Sequence, residues 1–493
     1  MFIPLGNFSP EVNIGLVSAS RSCFPRELSV KRTAELLKAC EARGLKMFAP
    51  EGECAIIETK EHAAAAAGQM KSAGCDAAVL YLGNFSPEIE DAVFVREFGG
   101  CVMMMAAAEE SVGTLCSDRG DALCGLMSAA MAVEKRGLMP RVHMPGAPVV
   151  DIESGADAAG HFFKVVRTVK GIRGATIGLY GPRPRDFETC NYNMASVASI
   201  GVEVEELALF DLANEIKLVD DEKQIAATIA SMREDAGATL PPEDFTRRLA
   251  VYEIALLRQR EALRLSGAAT QCWIEQELSL RHVPCFINAR LTGRGFPVAC
   301  ENDTYSLIAE LLCQYASDSS VTMLDINHSI PADMLPAGMK AVAEDIVGLF
   351  HCGNTAPCRL VKPELKYQVM MNRLHEPPGE PPDFTRGTME GMITPSSITV
   401  SQVYGSGDSM IAYIAQGEFL DLDPATFGGV GVAHIPGFRR FYRHALLGRF
   451  HHHAAVAFGH CGAVLFDAFK LLGIKTVYTP LLQANLYPGE NPF

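Results

Sequence analysis

Hydrophobic and polar positions follow two alternating periods along the first third of the chain. Short apolar runs predict strands, and they alternate with segments whose apolar residues recur every three to four positions, which predict helices. The predicted strands are VNIGLVSAS, KMFAPE, CDAAVLYLG and GCVMMMAA, and the predicted helices are SVKRTAELLKACEARGL, EHAAAAAGQMKSAG and PEIEDAVFVREFGG. This alternation predicts a parallel, doubly wound α/β domain, which we assign to residues 1–170.

The pattern restarts after the Pro- and Gly-containing stretch MPRVHMPGAPVVD. A strand (GATIGLYG), a helix (NMASVASIG) and another strand (VEVEELAL) predict a second α/β domain over residues 171–355. In residues 356–493 the β-type runs GMITPSSITVSQVYG, SMIAYIAQGEFLDL and GGVGVAHIPG are separated by Gly and Asp turns. They predict a mainly antiparallel, barrel-like domain, closed by a helix in HHAAVAFGHCGAVLFDAFKLLG.

Composition narrows the possible partners and compartments. A chain of 493 residues is expected to form more than one domain, and 48% hydrophobic with 20% charged residues is ordinary for a globular protein. The net charge of −15 argues against a nucleic-acid partner, which needs a basic face. No apolar run reaches about 18 residues, and no basic stretch precedes an apolar core at the N-terminus. We therefore expect a cytoplasmic protein without a membrane partner.

The cysteine and glycine patterns argue against two kinds of site, a thiolate zinc site and a dinucleotide-binding loop. The 15 cysteines are scattered without a CxxC pair, which argues against a thiolate zinc site and is typical of buried thiols in a reducing compartment. YGSGDS and FGGVGVAH lie in the β-rich third, and neither follows a strand and opens a helix as a dinucleotide-binding loop does. No nicotinamide or flavin cofactor is expected.

Two carboxylates carry the strongest chemical signal. Glu301, in FPVACENDTYS, is predicted in the first turn of a helix, and Asp325, in VTMLDINHS, is predicted at the carboxyl end of a strand formed by Val321–Leu324. Ligands of open α/β sheets gather at that end of the strands. Taken alone, Glu301 could be a charge favoured by the helix dipole and Asp325 a turn residue.

A histidine run lies far downstream, at His451–His453. Glu, Asp and His together are the ligands that an ion of intermediate hardness, such as Mn²⁺, prefers. On the predicted closing helix, adjacent histidines point to different faces, so one or two of the three can reach an ion. His460, seven residues after His453, would return to the same helical face and is an alternative ligand.

Arg183 and Arg185 lie in YGPRPRDFETCNYN, between a predicted strand and a predicted helix. This position suits side chains that hold a polar substrate or support the Glu301 site. Alternatively, the two arginines pair with Asp186 and Glu188 at the surface.

Several segments together carry a family resemblance. TQCWIE, FPVACENDTYS, LDIN, LFHCGN, DPATFGGVGVAHIPG and HHHAAVAFGHCG resemble the L-fucose/L-arabinose isomerase superfamily, specifically its fucose-isomerase-like branch. The resemblance implies two Rossmann-like domains followed by a β-barrel-like domain. It also implies a bound Mn²⁺ ion, or another divalent ion such as Mg²⁺ or Co²⁺. The implied reaction is aldose–ketose interconversion of an L-fucose- or L-arabinose-like sugar. The implied assembly is a homo-oligomer, a trimer or hexamer, with shared active sites.

The resemblance also implies roles for individual residues. Glu301 and Asp325 would be metal ligands and the proton-transferring catalytic pair, and His453 would be the third metal ligand. Arabinose isomerases use a further histidine between the second carboxylate and the C-terminal domain. His351 is the candidate for this role, but its distance from Asp325 along the sequence differs from that in arabinose isomerases. Four residues fall at or near substrate-contacting positions: Arg21, Gln271, His351 and His452. Arg21 would come from a neighbouring subunit.

The chemistry of isomerisation agrees with this ligand set. Moving a carbonyl between C1 and C2 of an open-chain sugar requires proton transfer between neighbouring carbons and stabilisation of an ene-diol. Two carboxylates can perform the first task, and a metal can perform the second. A metal-dependent sugar lyase or aldolase and a non-catalytic sugar-binding protein remain as alternatives, although the added third domain counts against the second.

Overall fold

The computed structural model describes residues 5–236, 239–241, 243–374, 386–479, 486–487 and 489–493. Within these ranges the strands form one sheet of six strands, one of four and one of nine. The two smaller sheets are parallel, and the largest is mainly antiparallel. The predicted α/β class with a β-rich final third is thus confirmed at this level.

The first sheet and its helices occupy the N-terminal third of the chain. Its strand order is β2-β1-β3-β4-β5, with β6 pairing with β4, an order found among doubly wound sheets. Strands β1, β3 and β4 are buried along their whole length, as expected for continuous apolar runs in a parallel sheet. The elements are β1 (Ile14–Ala19), α1 (Arg26–Ala42), β2 (Ile56–Ile57), α2 (Lys60–Ser72), β3 (Ala77–Leu82), α3 (Glu88–Phe98), β4 (Cys101–Ala107), α4 (Ala122–Glu134), β5 (Val142–His143), β6 (Val149–Val150) and α5 (Ile152–Arg173).

One predicted strand of this unit is wrong. In KMFAPE only Phe48 makes a single parallel bridge, to Gly15, and the edge of the sheet is formed instead by β2. The two-residue β2 was too short to give a periodic signal.

The second unit contains the four-stranded parallel sheet, in the order β10-β9-β7-β8. The long helices α8 and α9 follow β8. The elements are β7 (Thr176–Tyr180), α6 (Met194–Ser199), β8 (Glu203–Leu207), α7 (Leu209–Lys217), α8 (Glu222–Ala236), α9 (Glu243–Leu263), β9 (Gly267–Thr270), α10 (Glu277–Leu280), α11 (Cys285–Gly293), β10 (Val298–Ala299) and α12 (Thr304–Ser317).

The nine-stranded sheet has the order β13-β14-β17-β12-β11-β18-β15-β16-β19. Because β16 also pairs with β17, hydrogen-bonded pairs link six of these strands in a ring. The elements are β11 (Val321–Ser329), β12 (Ile346–His351), β13 (Leu360–Tyr367), α13 (Val369–Leu374), β14 (Arg386–Ile393), β15 (Ser396–Ser406), β16 (Ser409–Phe419), β17 (Gly429–His434), α14 (Phe438–Leu447), β18 (His453–Phe458), α15 (Gly462–Leu472) and β19 (Lys475–Tyr478).

Two predictions about this sheet are wrong. The strand that contains Asp325 was expected in the second parallel unit, but β11 belongs to the antiparallel sheet and continues to Ser329, so Asp325 lies in mid-strand. The predicted boundary at residue 355 therefore cuts through this sheet. The histidines do not lie on the closing helix, since His453 begins β18 and the helix begins only at Gly462. A buried run such as HAAVAF lacks polar alternation, so periodicity does not separate strand from helix.

Helix α12 joins the three units. Its residues from Thr304 to Ala316 are all buried, because the helix contacts α5 of the first unit, β9 of the second and β15 and β18 of the large sheet. The segment just before α12 is thereby held against β18. None of the helices in the described ranges has the length and apolar character that a membrane crossing requires.

Candidate active site

Three predicted ligands meet where the second unit contacts the large sheet. Asp325 on β11 lies directly opposite His453 on β18 in the antiparallel ladder, so their side chains share one face of the sheet. Glu301 approaches from the segment Cys300–Asn302 that precedes α12. His453 Nε2 lies 3.2 Å from Glu301 Oε2 and 3.4 Å from Asp325 Oδ1.

Glu301 reaches this position through an unusual backbone conformation. Glu301 and Asn302 have φ angles of 60° and 53°, in the left-handed region that costs roughly 1–2 kcal/mol per non-glycine residue. Contacts with the second unit hold the turn: Glu301 N–H donates to Cys272 Sγ at 3.2 Å, and Asn302 Nδ2 donates to the Gly181 carbonyl at 2.6 Å. Strain of this kind is common at functional sites. The sequence predicted Glu301 in the first turn of a helix, but the residue lies just before α12.

The carboxylate oxygens that face His453 lack hydrogen-bond partners, although both lie within ion-pair distance of its Nε2. Glu301 Oε2 and Asp325 Oδ1 are both buried and accept no hydrogen bond of acceptable geometry. Buried polar atoms are rarely left in this state unless an ion or water completes them. Two carboxylate oxygens and one imidazole nitrogen suit a divalent ion of intermediate hardness, so the residues present fit a metal site.

Asp303, which the sequence analysis did not identify, orients His453. The His453 Nδ1–H donates to Asp303 Oδ2 at 2.7 Å, which turns Nε2 towards Glu301 and Asp325. Asp303 is fully buried and caps α12 by accepting from the Ser306 backbone N–H, and it also accepts from Ser306 Oγ at 2.6 Å. Metal-ligating histidines commonly donate their second N–H to such a carboxylate. In the sequence, Asp303 looks like an ordinary helix cap before an apolar run. Only its position two residues after Glu301 indicated that it could orient a metal ligand.

The two candidate catalytic carboxylates differ in acidity. Burial raises the pKa of Asp325 to about 6, and the nearby His453 and His351 offset only part of this rise. Burial also opposes ionisation of Glu301, but there the interaction with His453 and the charges of neighbouring histidines prevail and lower the pKa. Burial acts against the charged form of His453 as well, yet Asp303 and Glu301 raise its pKa well above the usual value.

A small cavity of about 170 Å³ opens beside the carboxylates and includes Glu301, Asp325, His351 and His452 in its wall. His351 is buried at the end of β12, with its ring centroid 6.2 Å from that of His453. His452 Nε2 lies 3.9 Å from Asp325 Oδ1. Each of these histidines can bring a ligand atom within 4.8 Å of those of His453 and one carboxylate. Both predicted substrate-binding histidines thus lie at the cavity.

Gln271 and Arg183 line a larger neighbouring cavity of about 810 Å³. Its wall includes Gln271 and Asn302, which are the chain neighbours of Cys272 and Glu301 in the small cavity. Arg183 donates from Nε to Asn191 Oδ1 at 2.7 Å and from Nη1 to two backbone carbonyls. It is thus held within its own loop by these bonds, and Arg185 lines the same cavity.

Arg21 and His460 lie apart from the cluster. Arg21 belongs to the first unit, where its guanidinium stacks 4.4 Å above the Phe85 ring and donates to the Ser86 carbonyl. His460 is exposed after β18, and its Nε2 lies 3.1 Å from the Gly417 carbonyl oxygen. The proposal of His460 as an alternative ligand rested on a helical period, and that segment is not helical.

Further titratable groups near the site escaped the sequence analysis. Glu310 on α12 is fully buried, both of its carboxylate oxygens lack partners, and burial raises its pKa to about 8. Cys352 lines the small cavity, with its sulfur 3.7 Å from His351 Nδ1 and 3.9 Å from Cys285 Sγ. Each is a single residue in an apolar segment, which sequence alone does not distinguish from ordinary core.

Comparisons with known proteins identify the family of the chain. Residues 15–173 match the model of the fucose/sulfoquinovose isomerase N-terminal domain, and residues 349–479 match that of the L-fucose isomerase C-terminal domain. The chain is also similar to a sulfoquinovose isomerase from Alkalicoccus urumqiensis, with 24% identity over 276 residues. That match covers 55% of this chain and 57% of the relative, so it spans little more than half of either protein. Because the two matched domains together cover more than half of the sequence, the chain belongs to the L-fucose/L-arabinose isomerase superfamily, in its fucose-isomerase-like branch.

Proposed function

We propose that this protein is a divalent-metal-dependent aldose–ketose isomerase that acts on a small sugar. The observation that carries the proposal is the convergence of Glu301, Asp325 and His453, where two buried carboxylate oxygens accept no hydrogen bond. Family membership and the name of the similar sulfoquinovose isomerase support the same reaction class.

Glu301, Asp325 and His453 would hold the metal. Mn²⁺ suits this set best, and Mg²⁺ or Co²⁺ are alternatives, because the ligands are two carboxylates and one imidazole without a thiolate. When bound, the ion would supply Lewis-acid stabilisation to the oxygens on C1 and C2 of the sugar. By accepting the Nδ1–H, Asp303 would hold the imidazole with Nε2 aimed at the ion, which would take the place of a proton on Nε2.

The carboxylates would move the proton. In the aldose-to-ketose direction a base takes the proton from C2, and C1 then receives one. Glu301 and Asp325 are the two groups that would accept and return it.

The substrate is proposed to be an L-fucose- or L-arabinose-like aldose. His351 and His452 would contact it in the small cavity, and Gln271 and Arg183 would contact it from the larger one. The presence of Arg183 and Arg185 in the larger cavity favours a second candidate, an anionic sugar such as the sulfoquinovose for which the relative is named.

We also propose a homo-oligomer, a trimer or hexamer, in which Arg21 serves the site of a neighbouring subunit. This would explain why Arg21 makes contacts only within the first unit among the described residues of its own chain. Arg21→Ala should lower kcat/KM without lowering metal content. A fully active dilute monomer, verified by light scattering, would contradict shared sites.

The test combines metal analysis with a substrate screen. Protein freed of metal by a chelator is incubated with L-fucose, L-arabinose or sulfoquinovose, with and without Mn²⁺, and ketose is detected by NMR. Metal-dependent ketose formation without carbon–carbon cleavage is expected, and Glu301→Gln should abolish most of it. Cleavage products would indicate the aldolase alternative, and binding without turnover would indicate a sugar-binding protein.

A further inference from the structure

A second group of possible metal ligands lies outside the site described above. It joins the first unit to the closing helix: His143 ends β5, His161 lies on α5, and Asp467 lies on α15. One atom from each side chain comes within 4.8 Å of the others. His161 Nε2 lies 2.8 Å from Asp467 Oδ2, across a sequence separation of 306 residues.

The Nε2 atom of His143 is the unexplained atom of this group. The residue is only 5% exposed, and Nε2 is buried without any hydrogen-bond partner. Leaving such an atom unpaired costs about 1–3 kcal/mol. The ring is held in place by stacking on Phe162, with centroids 5.4 Å apart and planes inclined by 8°. This nitrogen is therefore held in position and has no hydrogen-bond partner.

Asp467 is also held in position. The side chain of Asn491 donates to Asp467 Oδ2 at 2.8 Å, and the carboxylate is 5% exposed. His161 is the most exposed member of the group, with 31% of its side chain accessible to solvent. An ion can therefore reach the group from solvent on the His161 side.

We propose that His143, His161 and Asp467 bind a transition metal ion of the Zn²⁺ or Co²⁺ type. Two imidazole nitrogens and one carboxylate oxygen are a common three-residue set for Zn²⁺, with water completing the tetrahedron. Ligand bonds of about 2.0–2.2 Å place such atoms about 3.4 Å apart. His161 Nε2 and Asp467 Oδ2, now 2.8 Å apart, would therefore have to move apart slightly to admit the ion. The exposed His161 side chain can supply that movement. The ion would tie the first unit to α15 and so stabilise the packing of the chain's two ends.

This site and the proposed catalytic site can be tested separately because they share no residue. His161→Gln keeps a hydrogen-bond donor for Asp467 but removes the imidazole ligand. His453→Ala removes a ligand of the catalytic site only. The probes are Zn²⁺ and Co²⁺ alone, added to chelator-treated full-length protein, with binding followed by calorimetry and by the visible absorption of Co²⁺.

The wild type should bind two ions per chain, and each variant should bind one. Zn²⁺ should raise Tm by about 3 °C or more in the wild type, and the rise should be smaller in His161→Gln, which keeps only the catalytic site. His161→Gln should keep full isomerase activity when Mn²⁺ is supplied. Asp467→Asn gives a second test and should also lose one equivalent.

Equal stoichiometry and equal Zn²⁺-induced Tm shifts in the wild type and His161→Gln would overturn the proposal. The result does not depend on catalysis: if no aldose is isomerised, loss of one equivalent in His161→Gln still supports this second site. If the wild type binds a single ion that His453→Ala loses and His161→Gln keeps, only the catalytic site binds metal and the second group is an ion pair between units.

Discussion

Replacing Asp303 with asparagine tests how the candidate site is organised. In the native arrangement Asp303 Oδ2 accepts from both His453 Nδ1 and Ser306 Oγ, and its other oxygen accepts from the Ser306 backbone N–H. Asparagine has the same shape but places an NH₂ group against one of these donors. If that donor is His453 Nδ1–H, the imidazole is expected to move its proton to Nε2. Nε2 then faces Glu301 and Asp325 as a donor and no longer binds metal.

The magnitude follows from the role of Asp303 as an orienting partner. Loss of such a carboxylate typically lowers metal affinity about 10–100-fold, or about 1.4–2.7 kcal/mol. The fully buried side chain should also cost roughly 2 kcal/mol of unfolding free energy, because a donor is left without a partner. Affinity for Mn²⁺ would be measured by competition with a chromophoric chelator, and stability by urea unfolding of the metal-free protein.

Ser306→Ala is the matched control. It removes one hydrogen bond to the same carboxylate but leaves its charge, its bond to His453 and the backbone cap in place. Its Mn²⁺ affinity should stay within about threefold of the wild type, since a neutral hydrogen bond contributes about 1 kcal/mol and acts here only indirectly. Wild-type Mn²⁺ affinity in Asp303→Asn would refute the reasoning about His453.

The remaining predictions concern four buried groups. Glu301→Gln and Asp325→Asn should each lower kcat by about 10²–10⁴-fold while part of the metal is retained, as measured by steady-state kinetics and elemental analysis. His453→Ala should fail mainly through weak metal binding, so excess Mn²⁺ should restore part of its activity, whereas it should not restore Glu301→Gln. Burial raises the pKa of Glu310 from its usual 4.5 to about 8. Between pH 4.5 and 8 this carboxyl therefore holds its proton more tightly in the folded protein than in the unfolded chain. Its contribution makes the free energy of unfolding fall as pH rises through this range. Glu310→Gln should flatten this slope in urea unfolding between pH 5 and 8 and be more stable than the wild type at pH 8, and an unchanged slope would contradict the assignment.

The sequence predicted much of the fold because most elements have a clear period. The strands of the first unit and the amphipathic helices between them alternate visibly, and β7, β8 and the β-rich final third were also recognised. Errors arose where the period is ambiguous. The run after His453 is apolar at every position because β18 is buried on both faces, so it resembled a helix.

Site residues show the same limit. The spacing of Glu301, Asp325 and His453 with the family resemblance led to three side chains that the structure brings together. The reason given for Asp325 was wrong, however, because its place opposite His453 depends on antiparallel pairing that spans 128 residues of sequence. Asp303 escaped notice because a helix cap and an orienting carboxylate have the same local sequence. Long-range register and burial determine which function such a residue serves.

The most direct test of the central claim is isomerisation of the best aldose substrate in D₂O with Mn²⁺, with NMR analysis of the ketose. If Glu301 and Asp325 transfer the proton, deuterium from solvent should appear at C1, because the proton passes through a carboxylate that can exchange with water. Glu301→Gln should slow ketose formation and deuterium incorporation together. Complete retention of the substrate hydrogen, with Glu301→Gln still active, would contradict the proton-transfer account and indicate a hydride shift instead.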